Sequence, residues 1–218
     1  EMAMAEEPRE NPGMPEGEVG SAMLDRMNGG THEQLANWAF QYVQFSDDME
    51  YALDIGCGGG ANVARLLDRI PFGEVVGIDP SPLSVQKSIE YNAKAVEEGR
   101  ATIQQAEAAD MSALPNSAFD VVTAFETIYF WKDVPAALEE IKRVMLPGGT
   151  LLICNEADGS DSDHYSMAMR TPGMTIYTPR ELDALLRDAG FKKIQIYDDV
   201  KSGHVCVTAK KPKMPEKL

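Results

Sequence analysis

The chain has 218 residues, with 35 acidic against 20 basic side chains and a formal charge of −15. That balance repels phosphate backbones and argues against nucleic acid as a partner. No apolar run approaches the ~20 residues that cross a bilayer, which argues against membrane insertion, and 44% hydrophobic content suits one domain with a substantial core.

Residues 1–20 hold three prolines, three glycines and six glutamates and read as a flexible N-terminal arm. No basic-then-apolar leader opens the chain, and Glu1 in place of a start Met implies an upstream piece. Residues 21–48 read as a helical lid segment. Within it, Ser21–Met27 is a short predicted helix, ended by Gly29 and Gly30. Thr31 is placed to cap a second helix, with Gln34 reaching back as a capping box. Leu35, Trp38, Ala39, Tyr42 and Val43 then share one face at helical spacing.

Residues 49–210 read as one α/β domain. Tyr51–Ile55 is a predicted strand, Ala61–Arg69 an amphipathic helix and Glu74–Ile78 a second strand. Ser81 followed by Pro82 marks a helix start, and that helix is expected to run to Glu98. Ala101–Ala106 is a third strand. Phe119–Phe125 is a fourth, with the near-continuous apolar run expected of a strand buried on both faces. A helix over Pro135–Met145 leads through a turn at Pro147-Gly148-Gly149 into strand Thr150–Asn155. Such alternation builds a parallel sheet with helices on both faces. Ala157–Met174 reads as an irregular polar loop. Thr178 to Glu181 is a capping box opening a helix that ends before Gly190. Lys192–Tyr197 and His204–Thr208 read as an antiparallel pair at a sheet edge, and residues 211–218 as a frayed tail.

The chemistry concentrates at Asp54-Ile55-Gly56-Cys57-Gly58-Gly59-Gly60. Glycines spaced this way let a strand turn sharply into a helix and bring backbone N–H groups close to a ligand. Asp54 two residues before the first glycine would hold a cationic amino group and repel a pyrophosphate. That favours a cofactor bearing an amino acid, such as S-adenosylmethionine. The dinucleotide pattern is an open alternative, because Gly56-x-Gly58-x-x-Ala61 satisfies it and Asp79 lies roughly 20 residues on.

Taken together, the ordered motifs resemble the class I S-adenosylmethionine-dependent methyltransferases over about residues 50–210. The resemblance rests on the glycine bend, on Asp79 after the second strand and on Asp110-Met111-Ser112-Ala113-Leu114-Pro115. It also rests on Phe119-Asp120-Val121-Val122 and on Arg143-Val144-Met145-Leu146-Pro147-Gly148-Gly149. It implies a Rossmann-like, seven-stranded, mostly parallel sheet with an antiparallel last strand. It implies that Asp54 faces the methionine ammonium and that Gly56, Cys57 and Gly58 pass under the cofactor. Asp79 would accept from the ribose hydroxyls, Pro80 would flank the adenine, and Asp110 with the Met111 N–H would read the adenine edge. The run Glu126-Thr127-Ile128-Tyr129-Phe130-Trp131 is similar to that of a small microbial group within the family, which shares Asn155-Glu156 and the Met27, Asn28, His32 pattern.

Glu126 and Tyr129 would sit beside the reacting methyl group, with His32 on the lid as a further catalytic candidate. Trp131, Glu156 and His164 are the expected substrate-pocket residues. His204 reads as structural or exposed. The acids Asp158, Asp161 and Asp163 read as a solvated loop, and no metal is expected. Cys57, Cys154 and Cys206 form no metal-ligand spacing and read as reduced thiols, which implies the cytoplasm. The expected activity is methyl transfer to a small molecule. A protein or RNA acceptor, or a cofactor-binding module without transfer activity, is the alternative.

Overall fold

A computed structural model of the chain describes residues 10–213. Seven strands form one sheet in the order β3-β2-β1-β4-β5-β7-β6. They are β1 Tyr51–Ile55, β2 Glu74–Asp79, β3 Ala101–Gln105, β4 Phe119–Phe125, β5 Met145–Asn155, β6 Lys192–Asp199 and β7 His204–Lys210. The first five run parallel, and β7 is antiparallel to both of its neighbours. The Rossmann-like expectation and the antiparallel final element are both observed. β1 lies between β2 and β4, so the chain reverses its direction of winding there and leaves a crevice at the strands' carboxyl ends.

Among the described residues, eight α-helices flank the sheet: α1 Gly17–Met27, α2 Gly30–Phe40, α3 Ala61–Arg69, α4 Pro82–Tyr91, α5 Ala93–Glu97, α6 Val134–Val144, α7 Ser162–Arg170 and α8 Pro179–Asp188. On one sheet face, Leu138 and Ile141 of α6 and Leu182 and Leu186 of α8 are buried against Leu53, Val122 and Leu151. On the other, Leu35 and Phe40 of α2 and Val63 and Leu66 of α3 cover Ala52, Val121 and Leu152. The burial of all of β4 except Asp120 explains its near-continuous apolar run.

The caps were the most legible local feature. Ser81 accepts the Ser84 N–H at 3.2 Å, and Thr178 and Glu181 form both halves of the capping box. Elsewhere the structure corrects the expectations. The Thr31–Gln34 box is not formed: α2 starts one residue earlier, behind Gly29, with no side-chain cap. The helix expected to Glu98 breaks at Asn92, whose side-chain amide turns back to the carbonyls of Gly60 (2.9 Å) and Ser88 (3.0 Å). The expected loop after β5 contains α7, capped by Asp161. Pro147-Gly148-Gly149 stays within β5 as an irregularity, where the register with β4 slips between Phe119 and Val121.

The ends are also more ordered than expected. α1 begins inside the stretch read as an arm, and Ser81 Oγ donates to the Pro15 carbonyl at 2.8 Å. Residues 1–9 of that arm lie outside the described residues. Lys211, in the stretch read as a frayed tail, exchanges backbone hydrogen bonds with Gly148 and Gly149. The end of that tail, 214–218, also lies outside the described residues. Among the described residues, no helix is long and apolar enough to cross a membrane.

Candidate functional site

The bend after β1 is built from three left-handed glycines, Gly56, Gly58 and Gly60, with φ of 68°, 51° and 92°. Its first two N–H groups are used internally: Gly56 and Cys57 donate to the Ile78 carbonyl at 2.8 and 3.0 Å. Gly58 N–H donates to Asp79 Oδ2 at 3.0 Å, while Asp79 Oδ1 accepts the Ser81 N–H at 2.9 Å. Asp79 thus ties the glycine bend to the start of α4. Burial raises its carboxyl above the usual range, against the lowering effect of those two N–H donors.

The N-terminal segment completes the bend. Asn28 Oδ1 accepts the Ala61 N–H at 3.3 Å, and its Nδ2 donates to the Gly59 carbonyl at 3.2 Å. It supplies from a distance the cap that Gly60 lacks at the start of α3. Arg65 adds a bond to the Asn28 carbonyl at 3.1 Å.

Three cavities adjoin at this point. The largest, of about 330 Å³, is lined by Gly56, Gly58, Asp79, Pro80, Glu107 and Ala108, and roofed by Pro12–Pro15. A small one of about 60 Å³ lies over Gly56–Gly59 between Asn28, His32 and Arg65. A third, of about 230 Å³, is lined by Met23, His32, Tyr129, Glu156, Met167 and Met174. Met27 and Glu126 line all three.

Glu126 is held at that junction. It takes a left-handed backbone, φ 57°, unusual for a side-chain-bearing residue. Its carboxylate accepts the Glu156 N–H, and the Tyr129 side chain lies close beside it. The Tyr129 hydroxyl accepts the Ala157 N–H at 3.1 Å. Burial first, then the nearby Glu156 charge, pushes the Glu126 carboxyl well above the ordinary carboxylate range. Burial, with the Glu126 charge beside it, pushes the Tyr129 phenol well up too, so it stays protonated.

The expected site residues divide accordingly. Gly56, Cys57, Gly58, Asp79, Pro80, Glu126, Tyr129, Trp131, Glu156 and His32 all line these cavities. Trp131 belongs to the largest cavity rather than to the chamber beside Glu156.

Three expectations are corrected. Asp110 and Met111 turn away from the cleft: Asp110 is exposed and caps the Ser112 N–H at 3.2 Å, and the Met111 N–H is taken by Glu140 at 2.9 Å. Glu107 and Ala108, directly after β3, stand at the cleft instead. The overlooked signal was distance from the end of the strand. His164 faces Asp158, Nδ1 to Oδ1 3.4 Å, and packs by the Gly203 turn, outside the cavities. Asp158 itself is buried, not solvated.

Asp54 is also displaced from its expected place. It is 1% exposed beneath the bend and accepts the Thr123 hydroxyl at 2.7 Å. Burial pushes its carboxyl up to about 7. The folded chain therefore keeps a proton that the unfolded chain releases near pH 4. Stability contributed by that proton is complete below pH 4 and is lost as pH rises through 7. Asp54→Asn should flatten this loss, by up to about 4 kcal/mol across the window. Denaturant midpoints of both proteins at pH 4.5 and pH 8 measure it; equal pH slopes would refute it.

Comparison with known proteins agrees with this architecture. Residues 53–153 match the family model described as a methyltransferase domain. An uncharacterised methyltransferase of Schizosaccharomyces pombe is 32% identical over 137 residues, covering 59% of this chain and 46% of the relative. An O-methyltransferase of Penicillium expansum is 30% identical over 159 residues, covering 68% of this chain and 54% of the relative. The chain thus spans about half the length of the curated relatives it matches. A SAM-dependent methyltransferase from Aquifex aeolicus has the same fold, with TM-score 0.71 at 19% identity, covering 87% of this chain and 97% of that one. The strand order and the glycine bend agree with these matches: residues 53–153 are similar to a methyltransferase domain, and the fold is the one seen in a solved S-adenosylmethionine-dependent methyltransferase.

Proposed function

We propose that the protein transfers a methyl group from S-adenosylmethionine to a small molecule held in the chamber beside Glu126. The observation that carries this reading is the convergence of three cavities on Met27 and Glu126. A nucleoside compartment, a compartment for an amino-acid moiety and an acceptor chamber then share one junction.

The residues fit the cofactor. Gly58 lets the backbone approach, and the Asp79 carboxylate at the tip of β2 keeps acceptor capacity for a sugar diol. Pro80, Ala108 and Trp131 give flat or apolar flanks for a base, and Glu107 stands where an exocyclic amino group could donate. When bound, the cofactor supplies a methyl carbon on a positively charged sulfur. The protein's own task is alignment of the acceptor and removal of its proton. Glu126 is the proton acceptor in this reading, held by the Glu156 N–H with Tyr129 beside it. His32 borders both smaller cavities and is a second candidate.

The charge of −15 and the confined chamber support a small acceptor over RNA. The relative from Penicillium expansum carries the name O-methyltransferase, which supports methyl transfer as the activity. The buried free thiols support a cytoplasmic setting.

Calorimetry with S-adenosylhomocysteine tests the cofactor half. The wild-type protein should bind it, and Asp79→Ala should bind about 10–100-fold more weakly, as expected for a lost charged acceptor. Unchanged affinity would remove Asp79 from the site. A pooled acceptor screen read by S-adenosylhomocysteine formation tests the other half. Turnover confined to RNA or protein fractions would overturn the small-molecule reading.

A further inference from the structure

The third cavity has a composition that narrows its ligand. Four methionines form much of its wall: Met23 and Met27 from α1, Met167 from α7 and Met174 from the following turn. Phe130 and Pro12 continue the apolar lining. Thioether side chains are flexible and adapt to ligands of differing shape. Two acidic residues, Glu126 and Glu156, also line the cavity, and the backbone N–H of Glu156 donates to the Glu126 carboxylate. Arg26 also borders the chamber, but it is exposed and ion-paired with Glu10. Among the described residues, the Glu156 carboxylate meets no hydrogen-bond donor and no cation.

The Glu156 carboxylate is half-buried with free acceptor capacity, and a ligand that brings a charge-matched donor gains a charge-assisted hydrogen bond there. A hydroxyl has one proton to offer and leaves the second acid unneutralised. A carboxylate or phosphate ligand adds repulsion. An ammonium carries up to three N–H donors and one positive charge, enough to serve both acids.

We propose that this chamber selects a small apolar amine, with Glu126 and Glu156 receiving its ammonium donors and the methionines receiving its hydrocarbon part. The inference rests on the methyltransferase reading and names the acceptor class of the same site. An ammonium has no free lone pair. One proton therefore passes from nitrogen to the Glu126 carboxylate, giving a carboxylic acid and a neutral amine that can act as a nucleophile. The second carboxylate keeps the chamber negative during that transfer, and its charge makes Glu126 the better base.

The test uses three probes of nearly equal shape: benzylamine, benzyl alcohol and benzoate. Each is titrated by calorimetry into the full chain saturated with S-adenosylhomocysteine. Benzylamine should bind about tenfold or more tighter than benzyl alcohol, the gain expected for a charged hydrogen bond, and benzoate should not bind. Glu156→Gln should remove most of that preference while leaving S-adenosylhomocysteine affinity unchanged, which also reports that the variant is folded. Equal binding of amine and alcohol, no binding of any probe, or a preference that survives Glu156→Gln would overturn the proposal. Failure of the wild-type protein to take up S-adenosylhomocysteine would instead overturn the methyl-transfer reading beneath it.

Discussion

Glu126→Gln should lower turnover by about 100-fold or more, the range for loss of a positioned general base. Cofactor affinity should change far less. The substitution keeps side-chain length and an oxygen to accept the Glu156 N–H, so the junction of the cavities is preserved. What disappears is the capacity to take a proton. The pH profile adds a sharper signature. Burial and the Glu156 charge hold the Glu126 carboxyl protonated to unusually high pH. A base must be deprotonated to act, so wild-type turnover should climb with pH through that raised value and level off above it. The variant's residual turnover should lack this limb. Single-turnover rates across pH, with S-adenosylhomocysteine affinity measured alongside, give both readouts. A variant with wild-type turnover and an unaltered profile would exclude Glu126 as the base.

Gly56→Ala should be the most damaging change in the cofactor loop. A Cβ there would lie 2.3 Å from Thr127 Oγ1 and 2.7 Å from Thr127 Cβ. The backbone φ of 68° adds strain for any L side chain, on the order of 1–2 kcal/mol. Overpacking of a rigid site adds roughly 1–3 kcal/mol more. The fold can relieve the clash only by moving the bend away from the turn after β4. That also shifts Glu126, the immediate neighbour of Thr127. Loss of both thermal stability and S-adenosylhomocysteine binding is the expected outcome. Thr127→Gly removes the colliding atoms but not the backbone strain, so Gly56→Ala with Thr127→Gly should recover only part. Thermal melts and calorimetry on the three proteins measure this. An undiminished Gly56→Ala protein would show that the bend is looser than its contacts imply.

The fold was legible because its signals are local. β4 is covered on both faces and therefore reads as a nearly continuous apolar run, interrupted at Asp120 and Thr123. Thr178 and Glu181 lie three residues apart and cap each other without outside help. What escaped detection depends on partners far along the chain. α7 buries none of its residues, so it leaves no apolar period to detect. Asp110 and Met111 look like a ligand-reading pair in isolation. Only Glu140, 29 residues beyond Met111, reveals that the Met111 N–H is already engaged. Asp54 was expected to face the methionine ammonium, but it lies within β1 and accepts from Thr123, whose place beside it is set by the adjacent strand. Pro12–Pro15 carry no period at all, and their place over the cleft depends on Ser81, 66 residues away.

The Asn28 bridge carries a consequence for how this architecture can vary. The stretch matched by the family pattern begins at residue 53, yet the opening turn of α3 is finished by an amide from outside it. That stretch is therefore not self-sufficient, and excising it would leave the Ala61 N–H and the Gly59 carbonyl without their partner. Gly59 has no room for a methyl group either, since a Cβ there would meet the Asn28 amide at 2.6 Å. Position 28 and positions 59–61 are thus obliged to change in concert. Kindred chains that swap the front segment must rebuild the bend's support by another route.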